Sequence, residues 1–317
     1  MILPTLINYE QEAVMKVIVT GASGFVGTAL CAALKEKGHE VGVLSRNPER
    51  TRKSLANMDS YHAWDPETEA APKAALESQD AVIHLAGENV AGRWSKAKKN
   101  RILASRDLGT KNLVKGLEEC GDNAPKSLIS ASAIGFYGER GDDELGENEK
   151  AGDDFLANVC SAWENAACDA EKLGIRTVRV RIGIVLDTGG GALDAMLLPF
   201  KLGAGGPLGS GKQWWSWIHR ADLVAMLCHA LENEQISGVV NGTAPHPVRQ
   251  KDFAKVMGKV LRRPAFIPGP AFAIRLAVGE FSCELLSSKK VLPKASEENG
   301  FEFAYPELEP ALQNILT

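Results

Sequence analysis

Short apolar runs alternate with longer stretches of helical period through about the first 185 residues of the chain. Val17-Ile18-Val19 opens the series, and Phe25 to Lys37 follows with apolar positions at helical spacing. Runs at Glu40–Leu44, Tyr61–Trp64, Ala81–Ala86, Ser127–Ser132 and Arg176–Leu186 read as further strands. Trp94 to Glu119 and Phe155 to Leu173 read as helices between them. Strands that are apolar throughout, rather than alternating, are buried on both faces, and parallel neighbours need a long crossover between them. This order predicts an α/β chain with a doubly wound parallel sheet. Beyond Leu186 the pattern changes. Gly189-Gly190-Gly191 and Gly203–Pro207 bracket a short helix at Ala192–Leu202. A helix at Arg220–Leu231, a strand at Val239–Asn241, a helix at Phe253–Leu261 and two further short helices complete the expectation.

The join between the first strand and the first helix carries the clearest chemistry. Gly21, Gly24 and Gly27 fall three residues apart between Val19 and the helix. Glycines there let the backbone turn sharply and approach a pyrophosphate, which rests on the free N–H groups at the positive end of the helix. A three-glycine pattern alone also fits ordinary surface turns. The strand before it and the helix and second strand after it point to a Rossmann-type dinucleotide site, with Ser23, Phe25 and Val26 completing the phosphate loop.

The end of the second strand selects between dinucleotides. A carboxylate there accepts from the ribose 2′-hydroxyl of NAD and repels a 2′-phosphate. Here the strand ends in Ser45-Arg46, a hydroxyl and a guanidinium suited to a phosphate dianion, so NADP(H) is expected. Leu85, Ala86 and Gly87 end the fourth strand, where small residues admit the ribose. Arg101 and Arg106, within the basic run of the long helix, are candidates to assist at the cofactor phosphates. Asp65 either touches the adenine or caps its turn.

A formal charge of -4 gives no electrostatic case for nucleic acid or an anionic membrane. No apolar run approaches the ~18 residues that span a bilayer. The six cysteines lack any metal-ligand spacing and suit a reducing compartment, so no metal is expected and the cytoplasm is the expected location. Residues 1–14 lack the features of a targeting signal and read as an extension.

Several longer stretches resemble the extended short-chain dehydrogenase/reductase superfamily, and more closely its atypical branch of NAD-dependent epimerase/dehydratase proteins, sugar-nucleotide-epimerase-like and in some cases labelled cell-division-inhibitor-like. They are TGASGFVG at Thr20–Gly27, HLAGENV at His84–Val90, SASAIGFYG at Ser130–Gly138, GSGKQWWSWIHRADL at Gly209–Leu223 and RRPAFIP at Arg262–Pro268. The resemblance implies NADP(H) bound by a Rossmann domain of residues 15–186 with 212–244. A smaller C-terminal α-rich substrate lobe of residues 187–211 with 245–317 would close over a small-molecule substrate such as a nucleotide sugar.

Superfamily members that oxidise or reduce a carbonyl use a Tyr-x-x-x-Lys pair on the helix after the fifth strand, and a Ser on that strand. By position Cys160 stands for the Tyr and Glu164 for the Lys, and no Tyr-x-x-x-Lys occurs in the sequence. Without a cation beside it, a tyrosine keeps a pKa of ~10 and is a poor base at neutral pH. The candidate catalytic set is therefore Ser132 to orient the substrate, Tyr137 as proton donor, and Glu164 as a second donor if an apolar cleft raises its pKa. The competing reading is a non-catalytic regulatory or redox-sensing protein that binds the dinucleotide. Trp215 and Trp217 share a strand face with Gln213, suited to a core between lobes or to stacking on a sugar. His219 reads as a structural histidine.

Overall fold

The computed structural model describes residues 13–317, so the expected extension at 1–14 lies outside the described residues except for Ala13 and Val14. A seven-stranded sheet is formed by β1 (Lys16–Thr20), β2 (Glu40–Ser45), β3 (Ser60–Ala63), β4 (Ala81–His84), β5 (Ser127–Ala133), β6 (Arg176–Ile182) and β7 (Gly238–Gly242). Their spatial order is β7-β6-β5-β4-β1-β2-β3, and every pairing is parallel. The order reverses between β1 and β4, and ligands of such sheets bind in the crevice at the carboxyl ends there.

Alternation within each strand feeds two apolar layers. Val17 and Val19 of β1 join Leu30 and Leu34 of α1 (Phe25–Glu36). Ile18 and Val82 turn to the opposite layer, against Leu113 and Leu117 of α2 (Lys96–Cys120) and Ala167 of α3 (Phe155–Cys168). Leu223 and Leu227 of α4 (Arg220–Glu232) complete the first layer. Ser95 caps α2 by accepting from the Lys98 N–H, and Asp154 caps α3 by accepting from the Ala157 N–H, which fixes where both helices start. Among the described residues no helix is long and apolar enough to cross a membrane.

The strand expected at Arg176–Leu186 breaks at Gly183. Beyond it, Ile184–Leu186 leaves the sheet and pairs with Trp217–His219. A Cβ on Gly183 would lie 2.7 Å from the Ser216 carbonyl oxygen, so the crossing of the two backbones demands glycine. These segments feed a second core of Leu186, Leu193, Phe200, Phe253, Met257 and Leu312. Trp215 and Trp217 lie in it too, so their rings serve packing, although the sequence places them in the nucleotide-binding part. Conversely, Ala295, Phe301 and Phe303 pack against the first core although the sequence places them in the lobe. Four short helices, not two, follow Pro270: Ala271–Val278, Ser282–Leu286, Lys294–Glu298 and Leu308–Leu316.

Candidate functional site

The glycine turn is packed tightly against its own backbone and the end of β4. The Gly24 N–H donates to the Gly21 carbonyl at 2.9 Å. A Cβ on Gly21 would sit 2.7 Å from the Leu85 carbonyl carbon, and one on Gly27 would sit 2.3 Å from the Gly21 oxygen. Gly21 also has φ +69, which an L side chain rarely adopts. Gly24 caps α1 without a side-chain hydrogen bond, and the first turn holds no acidic residue. Its N–H groups at Phe25, Val26 and Gly27 therefore face outward at the positive end of the helix dipole, the chemistry of a phosphate cradle. Ser23 and Gly24 are exposed at its rim.

Phe25 ties this turn to the following chain. Cβ atoms on Gly190 and Gly191 would meet its ring at 2.8 and 2.9 Å, and the Arg220 guanidinium lies over the ring at 4.9 Å. Arg220 also pairs with Asp187 at 2.7 Å, so the chain entering the triple-glycine loop is fastened beside Phe25.

Ser45 and Arg46 sit at the end of β2, as the 2′-phosphate expectation requires. Ser45 Oγ lies 2.7 Å from Thr51 Oγ1 and accepts from the Asn47 N–H at 3.2 Å. Arg46 is exposed and makes no ion pair or side-chain hydrogen bond among the described residues. Asp65 accepts from the Glu67 N–H at 3.1 Å, the turn-capping alternative. Leu85 and Ala86 abut Gly21, and the Ala86 N–H donates to Thr20 Oγ1 at 3.2 Å. The residues present thus fit a dinucleotide carrying a 2′-phosphate: an uncapped helix end, a turn that a Cβ would fill, and an uncommitted guanidinium. Arg101 is half-exposed and turns to Glu88, 3.5 Å away, rather than to the glycine turn. Arg106 lies against Gly87, where a Cβ would meet its guanidinium carbon at 3.1 Å.

Ser132, Glu164 and Tyr137 come together, but around a residue that the sequence reading passed over. Arg181 is the register neighbour of Ser132 on β6. Its Nε and Nη2 donate to Glu164 Oε1 and Oε2 at 2.8 and 2.9 Å, a two-bond ion pair that is almost wholly buried. Ser132 Oγ donates to Glu164 Oε1 at 2.7 Å. Arg181 Nη1 donates to the Tyr137 hydroxyl at 3.0 Å, which donates in turn to Asn241 Oδ1 at 2.6 Å. Burial works against the guanidinium charge, yet the bonds to Glu164 and Tyr137 hold its pKa above the ordinary value.

This network corrects the expected proton donors. Tyr137 has no exposed surface, its hydroxyl is committed to Asn241, and burial pushes its pKa up to about 12. Glu164 accepts from Ser132 and Arg181 through both oxygens, so it acts as an acceptor and offers no proton to a ligand. Cys160 is buried one turn away, and burial pushes its thiol up to about 12. Ser132 lies near the end of β5, buried, with its hydroxyl proton on Glu164 and its oxygen left to accept. His219 caps α4 and stacks on Tyr305 with ring centroids 4.1 Å apart, a structural histidine.

The model of the NAD dependent epimerase/dehydratase family matches residues 17–241 of this chain, and that of a domain of unknown function (DUF1731) matches residues 270–315. The chain belongs to the NAD dependent epimerase/dehydratase family. It is 40% identical over 312 residues to the chloroplastic epimerase family protein SDR39U1 homolog of Arabidopsis thaliana, covering 98% of this chain and 89% of that one. It is 40% identical over 303 residues to the epimerase family protein YfhF of Bacillus subtilis, covering 95% and 98%. The crystal structure of the human epimerase family protein SDR39U1, solved with NADPH, superposes with a TM-score of 0.84 at 37% identity, covering 95% of this chain and 99% of that one. A UDP-galactose 4-epimerase at 20% identity and TM-score 0.72 shares the fold.

Within this member of the epimerase/dehydratase family, the signal for the missed residue lay in β6. Its sequence alternates Arg179 and Arg181 with valines in a strand otherwise fit for a sheet interior. A charge there is retained only with a partner, and the glutamate standing at the lysine position of the preceding helix is that partner.

Proposed function

We propose that this chain binds NADP(H) and acts as an oxidoreductase or nucleotide-sugar-epimerase-like enzyme on a small molecule held between its nucleotide-binding sheet and its second core. The observation that carries this reading is the uncapped α1 end behind Gly21, Gly24 and Gly27, with Arg46, unpaired among the described residues, at the end of β2. Gly21, Ser23, Gly24, Phe25, Val26 and Gly27 hold the pyrophosphate, Ser45 and Arg46 the 2′-phosphate, and Leu85, Ala86 and Gly87 the ribose. The human relative solved with NADPH supports the choice of dinucleotide. Fold neighbours solved with UDP-glucose or UDP-glucuronic acid and NAD support a nucleotide sugar as the substrate class. A nicotinamide bound there would give or take hydride, and Ser132 would orient the reacting oxygen. The cytoplasm remains the proposed location.

Calorimetric titration tests the cofactor. NADPH should bind at least tenfold more tightly than NADH, and Arg46→Ala should remove most of that preference, as expected for a contact to a phosphate dianion worth about 1.5–3 kcal/mol. Equal affinity for the two dinucleotides refutes the assignment. The Glu164–Arg181 pair favours a second reading, in which the bound dinucleotide regulates or senses without turnover, because it commits the glutamate and the guanidinium to a buried structural network. Oxidation of bound NADPH by small carbonyls, or reduction of bound NADP+ by nucleotide sugars, read at the reduced-nicotinamide absorbance, separates the two.

A further inference from the structure

Arg106 is a half-buried cation without a carboxylate partner among the described residues. Its Nη1 donates to the main-chain carbonyls of Glu88 at 2.9 Å and Ile102 at 3.3 Å. The ring of Trp163 lies under the guanidinium at 4.9 Å, and Gly87 lies against it on another side. Its Nε and Nη2 make no hydrogen bond among the described residues, and neither is sealed from solvent. The acidic group that feels its charge, Glu88, is held by Lys98 at 2.8 Å and Arg101 at 3.5 Å. Burial accordingly lowers the pKa of Arg106, opposed by Cys160 and Glu88. A guanidinium stays charged under such conditions, so it carries an uncompensated cost of burial that an anion would offset.

The place of this cation follows from the contacts across the sheet. Gly21 abuts Leu85 and Ala86, Gly87 abuts Arg106, and Arg106 stacks on Trp163 of α3, the helix that carries Cys160 and Glu164. That series runs from β1 past β4 toward β5, away from Ser45 and Arg46 at the end of β2. A dinucleotide with its pyrophosphate on α1 and its 2′-phosphate at β2 lays its nicotinamide half on the β4–β5 side.

We propose that Arg106 binds an anionic group of the substrate, a carboxylate or a phosphate, beside the nicotinamide, so that the substrate is acidic at its reacting end. This rests on the cofactor placement above. Two free N–H donors in one plane suit a pair of anionic oxygens, and the fixed guanidinium fork distinguishes such a group from a neutral amide. The stack on Trp163 and the two carbonyl bonds hold the fork in place before any ligand arrives, which lowers the ordering cost of binding.

The test uses wild-type protein loaded with NADPH and titrated with acetate, inorganic phosphate or acetamide, read by reduced-nicotinamide fluorescence. Acetate or phosphate should give a saturable change and neutral acetamide none. The tighter of the two anions names the substrate group. Arg106→Gln should weaken the anion response about tenfold or more while leaving NADPH affinity within about twofold. Arg106→Lys, which keeps the charge and loses the fork, should weaken it about tenfold with the fold intact. An anion response absent from wild type, or unchanged in either variant, overturns the proposal. So does a loss of NADPH affinity in Arg106→Gln as large as that of Arg46→Ala, which makes Arg106 a cofactor-phosphate ligand. Failure of wild type to bind NADPH at all refutes instead the cofactor reading, and is seen before any anion is added.

Discussion

Arg181→Met removes the cation at the centre of the Ser132–Glu164–Tyr137 network and leaves its carboxylate in place. Arg181 and Glu164 expose only 4% and 7% of their side chains, so solvent can neither screen the pair nor rehydrate the survivor. Breaking a buried pair from one side costs about 3–5 kcal/mol, most of it the burial of the remaining charge. Glu164 would keep one hydrogen bond, from Ser132 Oγ, and lose both bonds from the guanidinium. The Glu147 carbonyl would lose its donor, while the Tyr137 hydroxyl would still donate to Asn241. The double variant Arg181→Met with Glu164→Leu removes both charges and should recover most of the loss, leaving about 1–2 kcal/mol for the unpaired Ser132 hydroxyl and Glu147 carbonyl. Urea unfolding followed by tryptophan fluorescence and far-UV circular dichroism reads the effect. With an m-value of about 3 kcal/mol per M, the single variant should shift the midpoint down by about 1–1.5 M, and the double variant by less than half of that. A single variant that costs under about 1 kcal/mol, or a double variant no better than the single, refutes the account of this pair as a buried ion pair whose members cannot be removed one at a time.

Two further perturbations follow from the site. His84 is fully buried between Thr20 Oγ1 at 2.7 Å and Thr110 Oγ1 at 3.1 Å, and burial, with Arg106 nearby, lowers its pKa to about 4. Between pH 6.5 and 4 the unfolded chain then binds a proton that the native state refuses, so stability falls as pH falls through that window; the loss from pH 7 to 5 should be about 2 kcal/mol, absent in His84→Gln when urea midpoints are compared, and equal slopes for the two proteins would contradict it. Gly27→Ala puts a methyl group 2.3 Å from the Gly21 oxygen and 2.8 Å from Ala22 backbone atoms, so the turn must open; calorimetry should show NADPH affinity down by about tenfold or more, whereas Gly38→Ala, with nothing within 4 Å of the added Cβ, should leave it unchanged.

The order of strands and helices was legible in the sequence because each β-strand of a doubly wound sheet is buried on both faces and each crossover helix on one. Val17-Ile18-Val19, Ala81–His84 and the helical period of Phe25–Glu36 carry that pattern without reference to anything distant. The glycine turn was legible for the same reason, since Gly21, Gly24 and Gly27 act through backbone sterics within one βα unit. What the sequence left open depends on groups far apart in the chain. Which residue partners Glu164 is decided by the β5–β6 register, which puts Ser132 beside Arg181 while α3 lies across both. Tyr137 reads as a reactive phenol until Asn241, 104 residues later, takes its hydroxyl. The second core likewise depends on Gly183, where two backbones cross too closely for a side chain and the strand changes partners. Periodicity fixes which face of an element is apolar. Whether a polar side chain on that face is free to do chemistry depends on the partner that packing brings to it, because a buried charge or hydroxyl takes up whatever donor or acceptor lies within reach.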